Sequence, residues 1–568
     1  MNSSPICLDL YQVCQMLPDE SEIRKIALRN AYMHEGKADL GAVINKIMGQ
    51  YPDARSRGKE VSAQVTAIVR DINSSDSKKI MEEAVSLLPE LAIKEKHVQE
   101  HRLPELADVT GEVRMRLAPS PSGPLHVGHS RMAILNDEYV RRYGGKLYLR
   151  IEDTNPSNID LDAYHLIPED LEWLGVKVHE IVVQSKRMDI YYKEAKKLIE
   201  RGSMYICECE QSEFRNFKLQ SKACPHRERS PETNMAAFEK MISGGFSKGT
   251  VSAVVKTDLN HPNPSIRDWI AFRVKEETHP LTGKTYFAYP MMNFSVAVDD
   301  HYLDLTHVIR GKDHLNNTEK QSYIFQYMGW KKPHYYHYGL VHIPGTILKT
   351  SIIKKGIRDG TYSGWSDIRL GTLLTMKRRG YRPETFRKYW VGSGMREIDS
   401  EFSWEIFNSI NREIIDPDAR RLWFVPNPIR LKIQGSSDLK SSAPFHPGNL
   451  SLGERTYSLG SEPEIFIPEK DWLSIRDNER FRLKDLCNVI RTPTGIRYAD
   501  NSHEDLKKIR IVQWTPSDSS DFIVEKPDGS IDRGKIEPLF SKVKGVSQFE
   551  RYGYVNIDPE KRVGYYLH

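Results

Sequence analysis

The chain has 568 residues, enough for three or four domains at roughly 150 residues each, and its 39% apolar and 28% charged residues fit a globular, non-fibrous protein. No apolar run approaches the roughly 18 residues of a membrane span, Met1–Leu10 has no basic stretch followed by an apolar one, and the cysteines at 7, 14, 207, 209, 224 and 487 suggest no disulfide framework. A cytoplasmic protein with no membrane partner is expected. The net charge of +5 divides into −3 over residues 1–110, +7 over 111–414 and +1 over 415–568. A polyanion-binding middle segment would give this distribution, and so would a solvated, slightly basic surface.

In chain order, residues 1–110 read as a helical domain. Apolar residues recur three and four apart in Ile23–Leu28, Gly41–Met48, Val61–Val69 and Ile80–Leu91, with polar breaks at Tyr51–Gly58 and Asn73–Ser77 and a charged end at Lys94–Arg102. No reactive cluster lies here, so docking is the expected role. At Val113–Ala118 the period becomes two, as in a strand. A Pro/Ser/Gly break at Pro119–Pro124 leads into a helical pattern over His126–Tyr143, which Gly144-Gly145 ends. Lys146–Ile151 is a second strand. Strand, loop, helix and strand make a βαβ unit, hence a parallel sheet, with a ligand site beyond the carboxyl end of the first strand. Residues 206–290 interrupt the alternation, a helical segment covers about 365–413, and short apolar runs such as Arg430–Ile433, Ile509–Trp514 and Tyr552–Ile557 read as barrel strands.

The most specific string is Pro119-Ser-Pro-Ser-Gly-Pro-Leu-His-Val-Gly-His129. Its two histidines, three apart at a helix start, share one face, beside backbone N–H groups and the positive end of the helix dipole. That setting suits a triphosphate, and Gly128 lets a base or ribose approach. Taken alone, the pair reads more readily as two ordinary histidines or as a metal pair.

The string resembles the "HIGH" signature of class I aminoacyl-tRNA synthetases. With Arg114-Met-Arg-Leu-Ala-Pro-Ser-Pro-Ser-Gly-Pro-Leu125, Arg150-Ile-Glu-Asp-Thr-Asn-Pro156, Gln184-Ser-Lys-Arg-Met-Asp-Ile-Tyr-Tyr192, Val298-Asp-Asp-His301, Thr306-His-Val-Ile-Arg-Gly-Lys-Asp-His314 and Ile414-Ile-Asp-Pro417, the chain resembles the glutamyl/glutaminyl branch, archaeal type, along nearly its whole length. The resemblance implies a multidomain α/β protein. It would have a helical domain at 1–110, a Rossmann-type catalytic domain at 111–355 with an acceptor-stem insertion at 206–290, a helical stem-contact region at 356–413 and a β-barrel anticodon-binding region at 414–568. It implies ATP-dependent ligation of L-glutamate to tRNA through an adenylate, with Mg²⁺ accompanying ATP and contacts to both the acceptor end and the anticodon. A monomer is expected.

Roles follow from the resemblance. His126 and His129 would hold ATP phosphates, with Pro119 and Gly128 against the nucleotide. Arg116, Ala118 and Ser120 would line the amino acid pocket, and Glu152 would pair with the substrate ammonium. Arg310 would face the side-chain carboxylate of glutamate, because a guanidinium fork matches a carboxylate and leaves a neutral amide unmatched. Two departures stand out. The pattern Tyr-Pro-x-Tyr appears as Tyr289-Pro-Met-Met292, which puts a flexible thioether, Met292, where an aromatic wall is usual. The mobile "KMSKS" loop appears as Ile347-Leu-Lys-Thr-Ser-Ile-Ile-Lys-Lys355, with Ile352 at the usual lysine position. Lys349, Lys354 and Lys355 remain as sources of a mobile ammonium, Lys349 the first choice.

Cys207-x-Cys209 and Cys224-x-His226 offer four ligands for structural zinc, against a reading as reduced buried cysteines. Arg420, Arg421, Trp423, Arg491, Arg497, Tyr498 and Trp514 are candidate anticodon contacts, or barrel packing. The rival functions are glutamine ligation, which Arg310 opposes, and a non-catalytic tRNA-binding relative, which the intact His126, His129, Glu152 and Arg310 oppose.

Overall fold

The structure, a computed structural model, describes residues 18–33, 36–51, 54, 57–88, 103–503 and 509–568. Cys7, Cys14 and the charged stretch Lys94–Arg102 lie outside the described residues.

The amino-terminal unit packs four helices, α1 (Glu20–Met33), α2 (Leu40–Gln50), α3 (Gly58–Ser74) and α4 (Ser77–Leu87), around Ile23, Val43, Ile47, Val65, Ile72 and Ile80. The caps follow from local chemistry. Asp39 accepts from the Ala42 N–H, and Asp76 accepts from the N–H groups of Lys78 and Lys79.

The second unit begins with β1 (Arg114–Leu117), α5 (Val127–Tyr143) and β2 (Lys146–Ile151). Gly144, at φ 66°, closes α5 in the left-handed conformation that its place after the helix requires. The chain continues through α6 (Ala163–Trp173) to β3 (Glu180–Val183), and β1, β2 and β3 pair in parallel in that order. Two further parallel strands, β8 (His307–Gly311) and β9 (His334–Tyr338), join on the other side of β1, where Thr306 N–H donates to Arg114 O at 3.0 Å. β1 thus has β2 on one side and the separate β8–β9 pair beside it on the other, the position at whose carboxyl end a ligand crevice is expected. Between β3 and β8 lie α7 (Met188–Glu200) and an antiparallel four-stranded sheet of β4 (Met204–Cys207), β5 (Ser252–Val255), β6 (Trp269–Val274) and β7 (Ala288–Pro290). With it come α8 (Gln211–Leu219), α9 (Pro231–Ile242) and α10 (Met292–Tyr302).

After α11 (Leu315–Met328) and β9 come α12 (Thr350–Arg358), α13 (Leu373–Arg379), α14 (Pro383–Ser393) and α15 (Trp404–Ile415). The remainder forms two seven-stranded sheets and an antiparallel pair, Leu439–Pro444 with Glu454–Gly460. One large sheet joins residues 421–426 to strands between 520 and 566, and the other, built from residues 428–516, is inserted between those parts. Alternation along one stretch serves both: Leu422 and Phe424 enter one core, and Trp423 between them enters the other with Ile433, Phe481 and Trp514. Among the described residues, no helix is long and apolar enough to cross a membrane.

Candidate active site

The crevice beyond β1 is walled by Ala118–Leu125 and by the first turn of α5. His126 is the N-cap: its Nδ1 accepts from the N–H groups of Gly128 (3.1 Å) and His129 (3.3 Å). An accepting Nδ1 leaves the proton on Nε2, so His126 presents a donor away from its own helix. The His129 ring stacks on it with centroids 3.6 Å apart. Burial, then the neighbouring His129, holds His126 well below the usual histidine range, and burial lowers His129 to about 4. Burial thus favours the neutral form of both rings.

The helix-start amides differ from the sequence expectation. Val127 N–H donates to Gly371 O, those of Gly128 and His129 to the His126 ring, and that of Ser130 to His126 O. None of these amides is left free to receive an anion. Gly128 also has a local cause: a Cβ there would lie 3.0 Å from Cε1 of His126, so glycine makes room for the cap itself.

Beneath the crevice lies a buried ionic network. Arg150 is fully buried and reaches Asp300 at 2.6 Å and Glu152 at 3.1 Å, with Asp299 at 4.0 Å. Asp299 also accepts from Arg187 (2.8 Å), Gln184 (2.8 Å) and the Tyr191 hydroxyl (2.7 Å). Three strings singled out in the sequence, around 150, 187 and 299, are thus one cross-link. Nothing in the spacing marked Arg187, Asp299, Asp300 or Tyr191 as members. The available signal was charge inside otherwise apolar strands and helices.

Arg116 and Arg310 stand apart. Arg116 is 3% exposed and Arg310 6%, and among the described residues neither has an ion-pair partner. The Nε–H of each is buried without an acceptor. Arg310 reaches only neutral groups, Thr318 Oγ1 at 2.5 Å and Gln321 Oε1 at 3.0 Å, and lies 4.8 Å from the centroid of the Tyr335 ring. Burial first, then Arg116, lowers Arg310 to about 10, and burial lowers Arg116 as well. Four guanidinium groups (116, 150, 187, 310) thus meet three carboxylates (152, 299, 300), leaving one positive charge and two unpaired forks. Glu152 offers Oε1 to Arg150, and burial raises its pKa.

The other sequence candidates fall around this core. Pro119 is buried and its carbonyl accepts from Glu152 N–H, Ala118 is half-buried and Ser120 exposed. Met292 opens α10 and lines a cavity of about 690 Å³ with Trp269, Arg273, Lys218 and Lys320, where its side chain meets the insertion. Lys349 is an exposed N-cap of α12 with no side-chain cap bond, and Lys355 is exposed. Lys354 is half-buried, 3.3 Å from Asp160. Ile352, 51% exposed, points to solvent.

In the insertion, the ligand atoms of Cys207, Cys209, Cys224 and His226 all lie within 4.8 Å of one another. Cys207 and Cys224 sulfurs are 3.8 Å apart, and His226 Nδ1 is 3.8 Å from Cys207 and 3.3 Å from Cys209. A tetrahedral ion at about 2.3 Å from sulfur requires edges of about 3.8 Å, so the set fits zinc in size and ligand type. Of the anticodon candidates, Trp423 and Trp514 are packed in the barrel core 5.0 Å apart and cannot stack on a base. Arg491 is spent on the carbonyls of Trp472 and Ile475, whereas Arg497 is exposed and Tyr498 half-buried.

Residues 112–417 match the model of the tRNA synthetases class I (E and Q) catalytic domain, and 419–507 that of the corresponding anti-codon binding domain. The chain belongs to this family. Relatives of this class I synthetase, each a glutamate–tRNA ligase, include one from Thermoplasma volcanium, 56% identical over 97% of this chain and 100% of its own. Another, from Thermoplasma acidophilum, is 56% identical over 89% and 92%. That of Methanocaldococcus jannaschii is 44% identical over 96% and 99%.

Proposed function

We propose that this class I synthetase ligates L-glutamate to tRNA at the expense of ATP, through a glutamyl-adenylate. The observation that carries the reading is the pair of buried guanidinium groups at Arg116 and Arg310 with no carboxylate partner. Buried charge without a counter-charge is costly and persists where a ligand supplies the partner. Glutamate carries net charge −1 and two carboxylates, which balances the excess and gives both forks an acceptor. Glutamine would leave one fork facing an amide.

In this reading Arg310 takes the side-chain carboxylate, as the resemblance implies, and Arg116, with Ala118 and Ser120, lines the rest of the pocket beside Glu152. Glu152 keeps its second oxygen for the substrate ammonium. Met292 forms the wall toward the insertion. The α-carboxylate of glutamate attacks the α-phosphorus of ATP, the bond to the bridging oxygen breaks, and pyrophosphate leaves. The Nε2–H of His126 and the neighbouring ring of His129 donate to phosphate oxygens, and Pro119 and Gly128 border the nucleotide. Little covalent work falls to the protein, so orientation and fixed donors lower the barrier. Mg²⁺ accompanies ATP and offsets phosphate charge. The 2′-hydroxyl of the terminal adenosine of tRNA then attacks the carbonyl carbon and AMP leaves. Zinc at Cys207, Cys209, Cys224 and His226 closes the insertion as a structural ion, because four protein ligands leave no open position.

The test is tRNA-dependent ATP–pyrophosphate exchange with glutamate and glutamine compared. Glutamate is expected to exceed glutamine by at least about 10²-fold in kcat/KM, the usual value of a hydrogen-bonded buried charge pair. Preference for glutamine would overturn the proposal.

A further inference from the structure

We propose that Lys354 is the lysine that meets the leaving pyrophosphate and that Asp160 is a positioning residue holding it ready until ATP has bound. The inference rests on the proposed adenylation reaction and concerns the one part of the site that the sequence leaves open.

Three segments tie α12 to the crevice. Gly371 accepts from Val127 N–H, and its own N–H donates to Ile347 O at 3.1 Å. Leu373 N–H donates to Leu125 O at 2.9 Å, so the lysine segment hangs from the same short stretch that fixes the start of α5. The loop before His126 also packs on the first turn of α12. Gly123, at φ 156°, has no Cβ; one would lie 2.7 Å from the Trp365 ring and 3.1 Å from the methyl of Thr350.

On this anchored helix the lysines are not equivalent. Ile353 is buried and Lys354 beside it is half-buried, whereas Lys349, Ile352 and Lys355 are exposed. The Lys354 ammonium is 3.3 Å from Asp160 Oδ2, with the two side chains 28% and 20% exposed. Asp160 is itself fixed beside the phosphate-binding loop: its N–H donates to Pro121 O at 2.8 Å, and its Oδ1 accepts from Asp162 N–H at 3.1 Å. Lys349 and Lys355 are exposed and without an ion-pair partner among the described residues.

The handover needs no redox or proton step. As the bond between the α-phosphorus and the bridging oxygen breaks, negative charge grows on the pyrophosphate. Lys354, still protonated, exchanges one carboxylate for those oxygens. Because the exchange occurs late, the ammonium stabilises the transition state more than bound ATP.

The experiment is single-turnover adenylate formation in the full-length protein with tRNA, reading the rate constant and the ATP dissociation constant separately. Lys354→Ala is expected to lower the rate at least about 10²-fold, as loss of one charge-stabilising donor does, with ATP affinity changed less than about three-fold. Lys354→Arg should retain more than a tenth of the rate, which separates loss of charge from loss of fold. Lys349→Ala and Lys355→Ala should remain within about three-fold. Asp160→Asn keeps the acceptor for Asp162 N–H and removes the charge. It should raise the rate about two- to five-fold, the worth of a part-exposed ion pair, with ATP affinity unchanged, and have no effect in the Lys354→Ala background. A wild-type rate in Lys354→Ala, or the same effect of Asp160→Asn in both backgrounds, overturns the assignment. A protein activating glutamine alone overturns the proposed function and leaves this inference standing, since the leaving group is unchanged. A protein activating neither amino acid overturns both.

Discussion

Arg310→Gln separates binding from folding at one position. In the wild type the guanidinium is 6% exposed, meets only Thr318 and Gln321 through Nη2, and has its Nε–H unsatisfied beside a second cation, Arg116. Burial, with Arg116 alongside, lowers its pKa from the ordinary arginine value to about 10, because the folded protein disfavours the charge. At 1.36 kcal/mol per unit this is on the order of 3 kcal/mol. The sign matters: the unfolded chain holds the proton more tightly, so folding is penalised at every pH below about 10. Glutamine removes that penalty, keeps a polar head for Thr318 and Gln321, and gives up the contact with Tyr335. The variant is therefore expected to melt at or above the wild-type temperature. Glutamate activation should fall by about 10²-fold or more, on the order of 3 kcal/mol for a truncated buried charge pair, and the preference for glutamate over glutamine should shrink with it. The assays are differential scanning calorimetry without substrate and tRNA-dependent pyrophosphate exchange with both amino acids. Near wild-type kcat/KM for glutamate would refute the role of Arg310. A large drop in melting temperature would refute the claim that its charge is uncompensated without substrate.

Three further outcomes follow from the same structure. His126→Asn preserves a side-chain acceptor at the N-cap but loses the outward Nε2–H, so it should fold like wild type and lose activity. His126→Ala should lose activity and also about 1 kcal/mol of stability, measured by urea unfolding. Burial raises Asp170, whose Oδ2 accepts from Leu125 N–H at 2.8 Å, to about 7. Its folded form therefore keeps a proton the unfolded chain releases near pH 4, and stability should fall as pH rises from about 4 to 7 by up to about 4 kcal/mol. Asp170→Asn should remove this slope, with a larger gain in melting temperature at pH 8 than at pH 5; equal gains would refute it. Freshly purified protein should contain close to one zinc per chain, and Cys224→Ser or chelation should speed proteolysis within 204–290 more than elsewhere, whereas metal-free protein with unchanged proteolysis would refute the site.

What could be read in advance depended on how far apart in the chain the interacting groups lie. Local rules placed β2 at Lys146–Ile151 and the start of α5 next to His126, because alternation, a Pro/Gly break and a glycine cap act within a few residues. The same rules do not show that His126 is itself the cap, since the N-cap preference names Ser, Thr, Asp and Asn, and so they leave the N–H groups of α5 free. The resemblance brought Arg116, Glu152 and Arg310 to notice one string at a time, but not the network beneath them. Arg150 and Asp300 meet at 2.6 Å across 150 residues of sequence, and no periodicity reports such a contact. Trp423 and Trp514 were ambiguous for a related reason: an aromatic residue in an alternating strand faces a core or a ligand, and only the second sheet decides.

Register against the family put Ile352 where an ammonium is usual and favoured Lys349 within the matched stretch. The proposed assignment moves that preference to Lys354, because it, and not Lys349, is paired with Asp160. At 100° per residue, the step from 352 to 354 carries the side chain about 200° round the helix, from solvent to Asp160. A lysine at 352 on this same backbone would point away from Asp160, so moving the charge two positions along the chain is not a neutral shift. It pairs the resting ammonium with a carboxylate anchored to Pro121, within the loop that ends in His126. The departure from the family pattern and the Lys354–Asp160 pair are then one feature, and a double variant Ile352→Lys with Lys354→Ala should recover little of the lost rate.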